Sequence, residues 1–285
     1  MIPIVFSTDH NYVIPTGVTI LSLLKASYFQ EYDIYVIASN DVTEEDKCLL
    51  IYQVESVSTV ASIQFLSIGN DFIGGYEVRG ISKACYYRLL IPWLLPMYDK
   101  VIYSDSDIIF KADLSQIYET EMGENLFCGV NTNGFKDGSL SKYIKRLGLN
   151  PNNYINSGFL IINSQLNRKE NLDKEFKKLA KKKFLFQDQD IINIIGKDRI
   201  GLIDEKYNLS PNLSLKTEGY VIHYTGIKPW EGFTYRWIEW WNMYNSSIFY
   251  DDEKYFEVSS NILNPKIFIK RIGRSIKYNI QKRLR

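Results

Sequence analysis

Cysteine and long apolar runs are scarce in this 285-residue chain, and each scarcity excludes a class of protein. The three cysteines, Cys48, Cys85 and Cys128, are odd in number and widely spaced, so they form neither a disulfide framework nor a zinc site. No apolar run approaches the length of a membrane span. The N-terminal stretch MIPIVFSTDH has no basic region and no cleavage site of a secretion signal. We therefore expect an unsecreted protein of the reducing cytosol.

The charge is nearly balanced overall but unevenly distributed. The chain has 34 Lys or Arg against 33 Asp or Glu, a formal net charge of +1. Residues 264–285, NPKIFIKRIGRSIKYNIQKRLR, contain eight of the basic residues and no acid, which leaves 26 basic against 33 acidic residues in 1–263. Apolar residues recur there every four positions, which predicts a basic amphipathic helix. Such a helix either packs on the rest of the chain, or binds an acidic protein, or lies on an anionic membrane surface, and we expect the membrane.

Apolar strands alternate with helical patterns along the first hundred residues. The pattern predicts strands over 3–7, 33–38, 62–67 and 100–103, and helices over 16–26, from Thr43 onward, and over 82–90. This order predicts an α/β fold with a mostly parallel sheet covered by helices on both faces. Ligands of such sheets bind at the carboxyl ends of the strands.

Two aspartates follow an apolar strand in VIYSDSDIIF, residues 101–110. Asp105 and Asp107 would repel each other at the end of a buried strand unless a cation sits between them. An Asp-X-Asp pair suits a hard divalent ion, because it leaves room for phosphate oxygens and water. A haloacid-dehalogenase-type phosphatase also carries Asp-X-Asp after an apolar strand, with the first aspartate as nucleophile. Those enzymes usually carry it on their first strand, so we rank that function second.

Six blocks taken together resemble glycosyltransferase family 8, which includes bacterial lipopolysaccharide galactosyltransferases and glycogenin. They are FSTDHNY at 6–12, ISKACYYRL at 81–89, YSDSDIIF at 103–110, NSGFLIIN at 156–163, QDQDIIN at 187–193 and HYTGIKPW at 223–230. The resemblance implies a Rossmann-like GT-A fold over 1–245, followed by a connecting segment, 246–263, and the helical extension 264–285. It also implies a UDP-sugar donor, Mn²⁺ and retention of the anomeric configuration, with Mg²⁺ as an alternative ion.

The resemblance assigns roles residue by residue. It implies metal ligation by Asp105, Asp107 and His223. It implies binding of the nucleotide and its diphosphate by Thr8, Asp9, Asn11, Tyr12, Ile81, Arg88, Ser106, Gly226 and Lys228. Asn156 and Asp188 would contact the donor sugar. Gln189 would lie on the face of the anomeric carbon opposite the leaving group, so Gln189 and Asp188 are the expected catalytic residues.

Several of these residues have ordinary structural alternatives. Asp9 could cap the following helix, Arg88 could form a surface ion pair, and His223 could be a hydrogen-bonded core residue. Asp190 could act only by stabilising the N-terminus of a helix through its dipole. The aromatic residues of 230–241 could pack in the apolar core. The chain also departs from the family where relatives carry a sugar-binding acid near residue 130, since it reads GVNTNGF. Asn131, Thr132 or Asn133 would have to act there.

The combined expectation is a retaining hexosyltransferase that uses UDP-galactose or UDP-glucose. The acceptor would be a glycan, a glycolipid or a glycoprotein, and no nucleic-acid partner is expected. The protein would be cytoplasmic and peripheral on the inner face of the cell membrane. A non-catalytic nucleotide-sugar-binding protein is a further alternative, which the complete set of site residues argues against.

Overall fold

The computed structural model describes residues 1–27, 30–69, 71–72, 74–77, 83–132, 138–211 and 218–263. Nine strands lie in these ranges. They are β1 (Ile2–Thr8), β2 (Tyr32–Ala38), β3 (Ser62–Leu66), β4 (Lys100–Ser104), β5 (Ile108–Phe110), β6 (Phe127–Asn131), β7 (Ile155–Asn163), β8 (Ile200–Leu202) and β9 (Val221–His223). The four strands predicted from the sequence correspond to β1, β2, β3 and β4.

Ten α-helices accompany the strands within the described ranges. They are α1 (Val13–Ala26), α2 (Glu44–Glu55), α3 (Ile91–Leu94), α4 (Ser115–Tyr118), α5 (Gly138–Arg146), α6 (Ser164–Lys169), α7 (Asp173–Leu179), α8 (Gln187–Ile195), α9 (Trp237–Asn245) and α10 (Asp252–Leu263). The helix predicted over 82–90 is a 3-10 helix, Lys83–Leu90. Thr43 caps α2 as expected, in a capping box with Asp46.

Seven strands form the central sheet in the order β3-β2-β1-β4-β7-β6-β8. The pairs β2–β3, β1–β2, β1–β4 and β6–β8 are parallel, whereas β7 runs antiparallel to both β4 and β6. A second, two-stranded sheet pairs β5 with β9 in antiparallel fashion. The predicted mostly parallel α/β sheet is therefore confirmed.

The sheet is buried on both faces because its strands alternate between two apolar cores. In β1, Val5 belongs to one core, whereas Ile4 and Phe6 belong to the other. The core on the Val5 side includes residues of the 3-10 helix, α7 and α8, and the core on the Ile4 side includes residues of α1. Continuous apolar strands of this kind are typical of sheets covered by helices on both faces.

The end of the described chain packs back onto the first two helices. A Cβ on Gly17 would lie 2.1 Å from the ring of Phe249, so the absence of a side chain in α1 admits that ring. The backbone N–H of Ile248 donates to Oε1 of Gln53, and Tyr255 of α10 makes an edge contact with Trp241. The expected connecting segment, 246–263, thus contains a helix and is anchored to the fold. The division of the chain into domains stays a prediction.

In the part of the chain that the structure describes, no helix combines the length and apolar character needed to cross a membrane. The predicted basic helix over 264–285 lies outside the described residues.

Candidate active site

A cavity of about 250 Å³ opens at the carboxyl ends of β1 and β4. This is the edge at which ligands of α/β sheets bind. Its lining residues are Ser7, Asp9, Tyr12, Ala84, Cys85, Arg88, Tyr103, Asp105, Ser106, Asp107 and Lys228. Four sequence-distant segments, 7–12, 84–88, 103–107 and the loop of Lys228, therefore converge on one concave, strongly charged surface.

The three predicted metal ligands lie together beside this cavity. Their carboxylate and imidazole atoms lie within 4.8 Å of one another. His223 Nε2 is 3.2 Å from Asp107 Oδ1 and 3.7 Å from Asp105 Oδ2. The sheet topology brings the three side chains together, because the turn between β4 and β5 carries both aspartates. Ile108 of β5, the residue after Asp107, pairs with His223 of β9. The Tyr224 N–H also donates to the Asp107 carbonyl, which fixes the two segments side by side.

A glycine on the neighbouring strand makes room for these ligands. Gly158 lies in β7, and its carbonyl accepts a hydrogen bond of 2.7 Å from the Asp105 N–H. A Cβ there would lie 2.2 Å from His223 Cε1 and 2.8 Å from Asp105 Oδ2. No larger residue fits without displacing two of the three ligands, so the glycine is part of the site.

The ligand set fits a divalent cation. Asp107 is buried, and within the described residues its Oδ1 has no hydrogen-bond partner. Burial opposes its ionisation, but the ammonium charge of Lys228, together with the neighbouring His223, outweighs burial and holds the pKa of Asp107 well below its usual range. An ionised, buried oxygen beside a second carboxylate and an imidazole nitrogen could hold a divalent metal ion. His223 is buried and hydrogen-bonded, as its structural alternative expects, and its Nε2 also faces the two carboxylates.

Lys228 and Arg88 carry positive charge into the same site. The Lys228 ammonium contacts the Asp107 carboxylate, and it also donates to the Tyr224 carbonyl at 3.0 Å. The Lys228 side chain therefore reaches one of the predicted metal ligands. Gly226 in this loop has φ +93°, a conformation that favours glycine.

Arg88 is buried rather than in a surface ion pair. Its Nη2 lies 2.8 Å from Asp105 Oδ1, and its Nε lies 3.3 Å from Asp188 Oδ2. The guanidinium also lies 4.3 Å from the centre of the Tyr103 ring, and the Tyr103 hydroxyl donates to Asp105. Burial raises the pKa of Asp188 while Arg88 works against the rise. Arg88 therefore joins a metal ligand to a residue of the predicted sugar site.

The predicted sugar-binding residues Asn156, Asp188 and Gln189 meet where α8 docks on the start of β7. Asn156 Nδ2 donates to Gln189 Oε1 at 3.0 Å. Asn193 holds the two elements together, because its side-chain amide both accepts from the Ile155 N–H and donates to the Ile155 carbonyl. The two candidate catalytic residues, Gln189 and Asp188, therefore sit in the first turn of an anchored helix.

At the nucleotide end, Asp9 caps a 3-10 helix by accepting from the Tyr12 N–H at 3.1 Å, so its structural alternative is confirmed and is compatible with ligand binding. Asn11 is exposed, and Tyr12 makes an edge contact with Trp230. Burial raises the pKa of Tyr12 to about 12.

Thr8 and Ser106 instead lie in a buried hydroxyl cluster. The Thr16 hydroxyl is 3.0 Å from Thr8 Oγ1 and 2.8 Å from Ser106 Oγ. Ile81 lies outside the described residues. Asn131 and Thr132, expected near the sugar, bond to backbone carbonyls of the 3-10 helix Pro151–Asn153 and of Tyr154. Asn133 is also outside the described residues.

Sequence reasoning missed Tyr103, Tyr154, Gly158 and Asn208. Tyr103 precedes Asp105 by two positions, and the period of a strand would have placed both on one face. Asn208 Oδ1 lies 2.8 Å from His223 Nδ1 and can only accept from it, and the separation of 15 residues along the chain offers no sequence signal for this contact.

The chain resembles known glycosyltransferases along most of its length. The sequence profile of Glycosyl transferase family 8 matches residues 3–234. The lipopolysaccharide 1,2-glucosyltransferase of Escherichia coli is 26% identical, over 96% of this chain and 89% of that protein. The lipopolysaccharide 1,3-galactosyltransferase of Salmonella typhimurium is 25% identical, over 80% of this chain and 72% of that protein. The galactosyltransferase LgtC, solved with donor and acceptor sugar analogues, has a TM-score of 0.75 at 22% identity, over 88% of this chain and 98% of that one.

The sheet and the likeness to LgtC define the GT-A fold. The chain belongs to glycosyl transferase family 8. The resemblance seen in the six sequence blocks is thereby confirmed.

Proposed function

We propose that the protein is a retaining glycosyltransferase that moves a hexose from a UDP-sugar to an acceptor glycan, glycolipid or glycoprotein. The observation that carries the proposal is the triad of Asp105, Asp107 and His223 beside a cavity that also holds Arg88 and Lys228. Three ligands for a divalent ion and two cations suit a diphosphate. Glucose and galactose are the candidate hexoses, since relatives of both specificities match the chain.

Mn²⁺ is the ion that best matches two carboxylates and a neutral imidazole, with Mg²⁺ second. When bound, it would neutralise charge on the diphosphate as the sugar–phosphate bond breaks. The Lys228 ammonium contacts the Asp107 carboxylate directly. We propose that it turns to a phosphate oxygen when the donor binds, since the divalent ion then supplies the charge that Asp107 needs.

The nucleotide would bind along the loop that follows β1. Asp9 would accept from the uracil edge, while Asn11 and Tyr12 would contact the base and ribose. Thr8 and Ser106 would act by holding this loop against the turn that carries the aspartates, because the Thr16 hydroxyl bridges them.

The transfer would follow a front-face path. The bond from the anomeric carbon to the phosphate oxygen breaks, that oxygen takes the proton of the acceptor hydroxyl, and the acceptor oxygen bonds to the anomeric carbon on the same face. A double displacement would need a nucleophile opposite the leaving group, and the amide of Gln189 is a poor one. Gln189 would instead stabilise positive character there, and Asp188 would accept from sugar hydroxyls.

We expect Gln189→Ala to lower kcat by about 10²-fold with little change in the donor KM. Loss of donor binding in this variant would contradict the role.

The acceptor would stack on exposed rings near the site. Phe233 and Tyr235 are each 45% exposed and contact each other edge to face. They follow Lys228 in the chain, and an exposed aromatic pair suits the apolar face of a sugar.

The basic segment 264–285 would hold the enzyme on an anionic membrane surface, where a lipid-linked acceptor is present. Its eight basic residues and lack of acids support this.

A screen of UDP-sugars tests the function directly. UDP release would be followed with UDP-glucose and UDP-galactose, with Mn²⁺ or Mg²⁺, and with or without acceptor extracts. We expect divalent-dependent release from one of the two donors. Hydrolysis of phosphomonoesters with phosphorylation of Asp105 would indicate a phosphatase, and UDP binding without turnover would indicate a non-catalytic binding protein.

A further inference from the structure

A continuous row of hydrogen bonds joins the imidazole of His223 to the buried carboxylate of Asp190. His223 Nδ1 lies 2.8 Å from Asn208 Oδ1, and Asn208 Nδ2 donates to Asn156 Oδ1 at 2.9 Å. Asn156 Nδ2 then donates to Gln189 Oε1 at 3.0 Å, and Gln189 Nε2 donates to the Tyr154 hydroxyl at 3.2 Å. The Tyr154 hydroxyl finally donates to Asp190 Oδ1 at 2.5 Å. The row therefore spans the candidate metal site and the candidate catalytic amide.

The direction of donation along this row is fixed at three independent points. Asp190 also accepts from the Tyr143 hydroxyl and from the Phe186 N–H, so it acts as an acceptor and Tyr154 must donate to it. Gln189 Oε1 accepts from the Ser157 N–H, which turns its Nε2 toward Tyr154. Backbone N–H groups can only donate, so they decide which end of each amide faces which neighbour.

Asn156 supplies the third fixed point. Its Oδ1 accepts from the Gly158 N–H at 2.9 Å, and so the same oxygen must accept from Asn208 Nδ2. With its NH₂ group committed, Asn208 can offer only its carbonyl oxygen to the imidazole. His223 Nδ1 must then carry the proton, which leaves the lone pair of Nε2 facing Asp105 and Asp107.

We propose that Asn208 is a positioning residue of the transferase site, which sets the tautomer of His223 for metal binding and links that ring to the amide of Gln189. The proposal rests on the function proposed above. A histidine ligand commonly donates its second N–H to an acceptor that holds the ring in place. Here the acceptor is itself held through Asn156 and Gln189, down to Asp190.

The backbone around Asn208 is arranged to keep it in place. Asn208 ends the 3-10 helix Glu205–Tyr207, and its N–H donates to the Glu205 carbonyl. The next residue, Leu209, pairs with β9 on both sides, because its N–H donates to Val221 and its carbonyl accepts from the His223 N–H. Asn208 and His223 are therefore neighbours through backbone pairing as well as through their side chains.

The tautomer can be measured without activity or metal. His10 and His223 are the only histidines in the chain, so His10→Gln leaves one imidazole. In that background, long-range ¹H–¹⁵N correlation at alkaline pH, where imidazole is neutral, should show the proton on Nδ1. Adding Asn208→Ala should average the two nitrogens. A proton on Nε2 of His223 in the His10→Gln protein would overturn the proposal, and this outcome does not depend on which substrate the enzyme uses.

Metal affinity tests whether Asn208 sets the tautomer of His223, and turnover tests whether it links that ring to Gln189. We expect Asn208→Ala to weaken Mn²⁺ binding by about 10- to 100-fold, measured from the electron paramagnetic resonance of free Mn²⁺ in the presence of UDP. Asn208→Asp keeps an acceptor for Nδ1 but no donor for Asn156, so it should retain Mn²⁺ and still lose kcat. Mn²⁺ affinity and kcat unchanged from wild type in Asn208→Ala would overturn the proposal.

Tyr154→Phe tests the far end of the row, and Tyr143→Phe is its matched control. Both remove a tyrosine hydroxyl from Asp190, and Tyr154 is the one whose hydroxyl accepts from Gln189, whereas that of Tyr143 accepts from the Leu185 N–H. Tyr154→Phe should lower kcat by about tenfold and leave donor KM unchanged, and Tyr143→Phe should not lower kcat.

The loss of kcat in Tyr154→Phe/Asn208→Asp should be smaller than the product of the single losses. Equal loss of kcat in the two Tyr→Phe variants, or independent effects in the double variant, would overturn the link. If the wild type neither binds Mn²⁺ nor cleaves UDP-sugars, the proposed function fails, and the tautomer measurement still decides the role of Asn208.

Discussion

At the residue scale, the site is organised around a buried carboxylate that always has a cation nearby. Asp107 sits between the Lys228 ammonium and the His223 imidazole. An ion pair of this kind is costly to break, because removing one partner leaves the other charge uncompensated. The carboxylate repulsion expected from Asp-X-Asp is therefore relieved internally, by Lys228 at Asp107 and by Arg88 at Asp105.

The small size of Gly158 allows Asp105 and His223 to lie as close together as they do. We expect Gly158→Ala to displace His223 and Asp105, since the new Cβ would lie 2.2 Å from His223 Cε1. Mn²⁺ binding and UDP release should fall by at least about 10²-fold, while circular dichroism should still show a folded α/β protein.

Gly138→Ala is the matched control for this change. Among the described residues, a Cβ at Gly138 would meet nothing within 4 Å, and Gly138 is the first residue of α5. It should bind Mn²⁺ as the wild type does. Normal Mn²⁺ affinity in Gly158→Ala would show that the three residues are not the metal site.

At the element scale, the prediction from sequence worked where one element carries its own pattern. Strands β1 to β4 are apolar runs bounded by polar residues, and the capping box of Thr43 and Asp46 marks the start of α2. Short strands such as β5, β8 and β9 have three residues each, too few to show a period. Their existence depends on pairing across the chain, as Ile108 with His223 shows.

The same reason limits prediction of the site. The apolar strand before them pointed to Asp105 and Asp107, and the resemblance of HYTGIKPW to the family pointed to His223. Asn208 and Tyr154 act through partners 15 and 35 residues away. No local pattern distinguishes such an asparagine or tyrosine from others.

The contact between His10, which follows β1, and Asp46 of α2 makes the stability of the fold depend on pH. His10 Nδ1 is 2.8 Å from Asp46 Oδ2, and this hydrogen bond raises the pKa of His10 above 6.5. The folded state thus binds this proton more tightly than the unfolded state. The resulting stability is present at low pH and is lost as pH rises through the raised pKa.

We expect the free energy of unfolding to fall more steeply in wild type than in His10→Gln as the pH rises from about 6.5, the ordinary pKa of histidine, through the raised pKa of His10. Glutamine keeps a donor for Asp46 but does not titrate. Urea unfolding at a series of pH values measures the difference. Parallel curves for the two proteins would contradict the role of this pair.

At the scale of the whole molecule, charge is divided between an acidic catalytic part and a basic C-terminal segment. Residues 1–263 carry 26 basic and 33 acidic residues, and residues 264–285 carry eight basic ones. Each cation close to an anionic leaflet contributes about 1 kcal/mol before screening. Eight of them would outweigh the repulsion between the acidic part and the same surface.

We expect the full chain to co-sediment with anionic vesicles at low salt and to be released at high salt. Deletion of residues 265–285 should abolish this binding and leave UDP release on soluble acceptors nearly intact. Vesicles of neutral lipid are the control. If the full chain does not bind anionic vesicles at low salt, the segment docks on protein instead.

The measurement closest to the central claim is the anomeric form of the hexose released from UDP-glucose or UDP-galactose with water as acceptor. Proton NMR during the first turnovers, before mutarotation, reports that form without any knowledge of the natural acceptor. We expect α-hexose and UDP to appear together, only with a divalent ion, and neither to appear with Gly158→Ala. Release of β-hexose first, or equal release of UDP in the presence of a chelator, would contradict a metal-dependent retaining transferase.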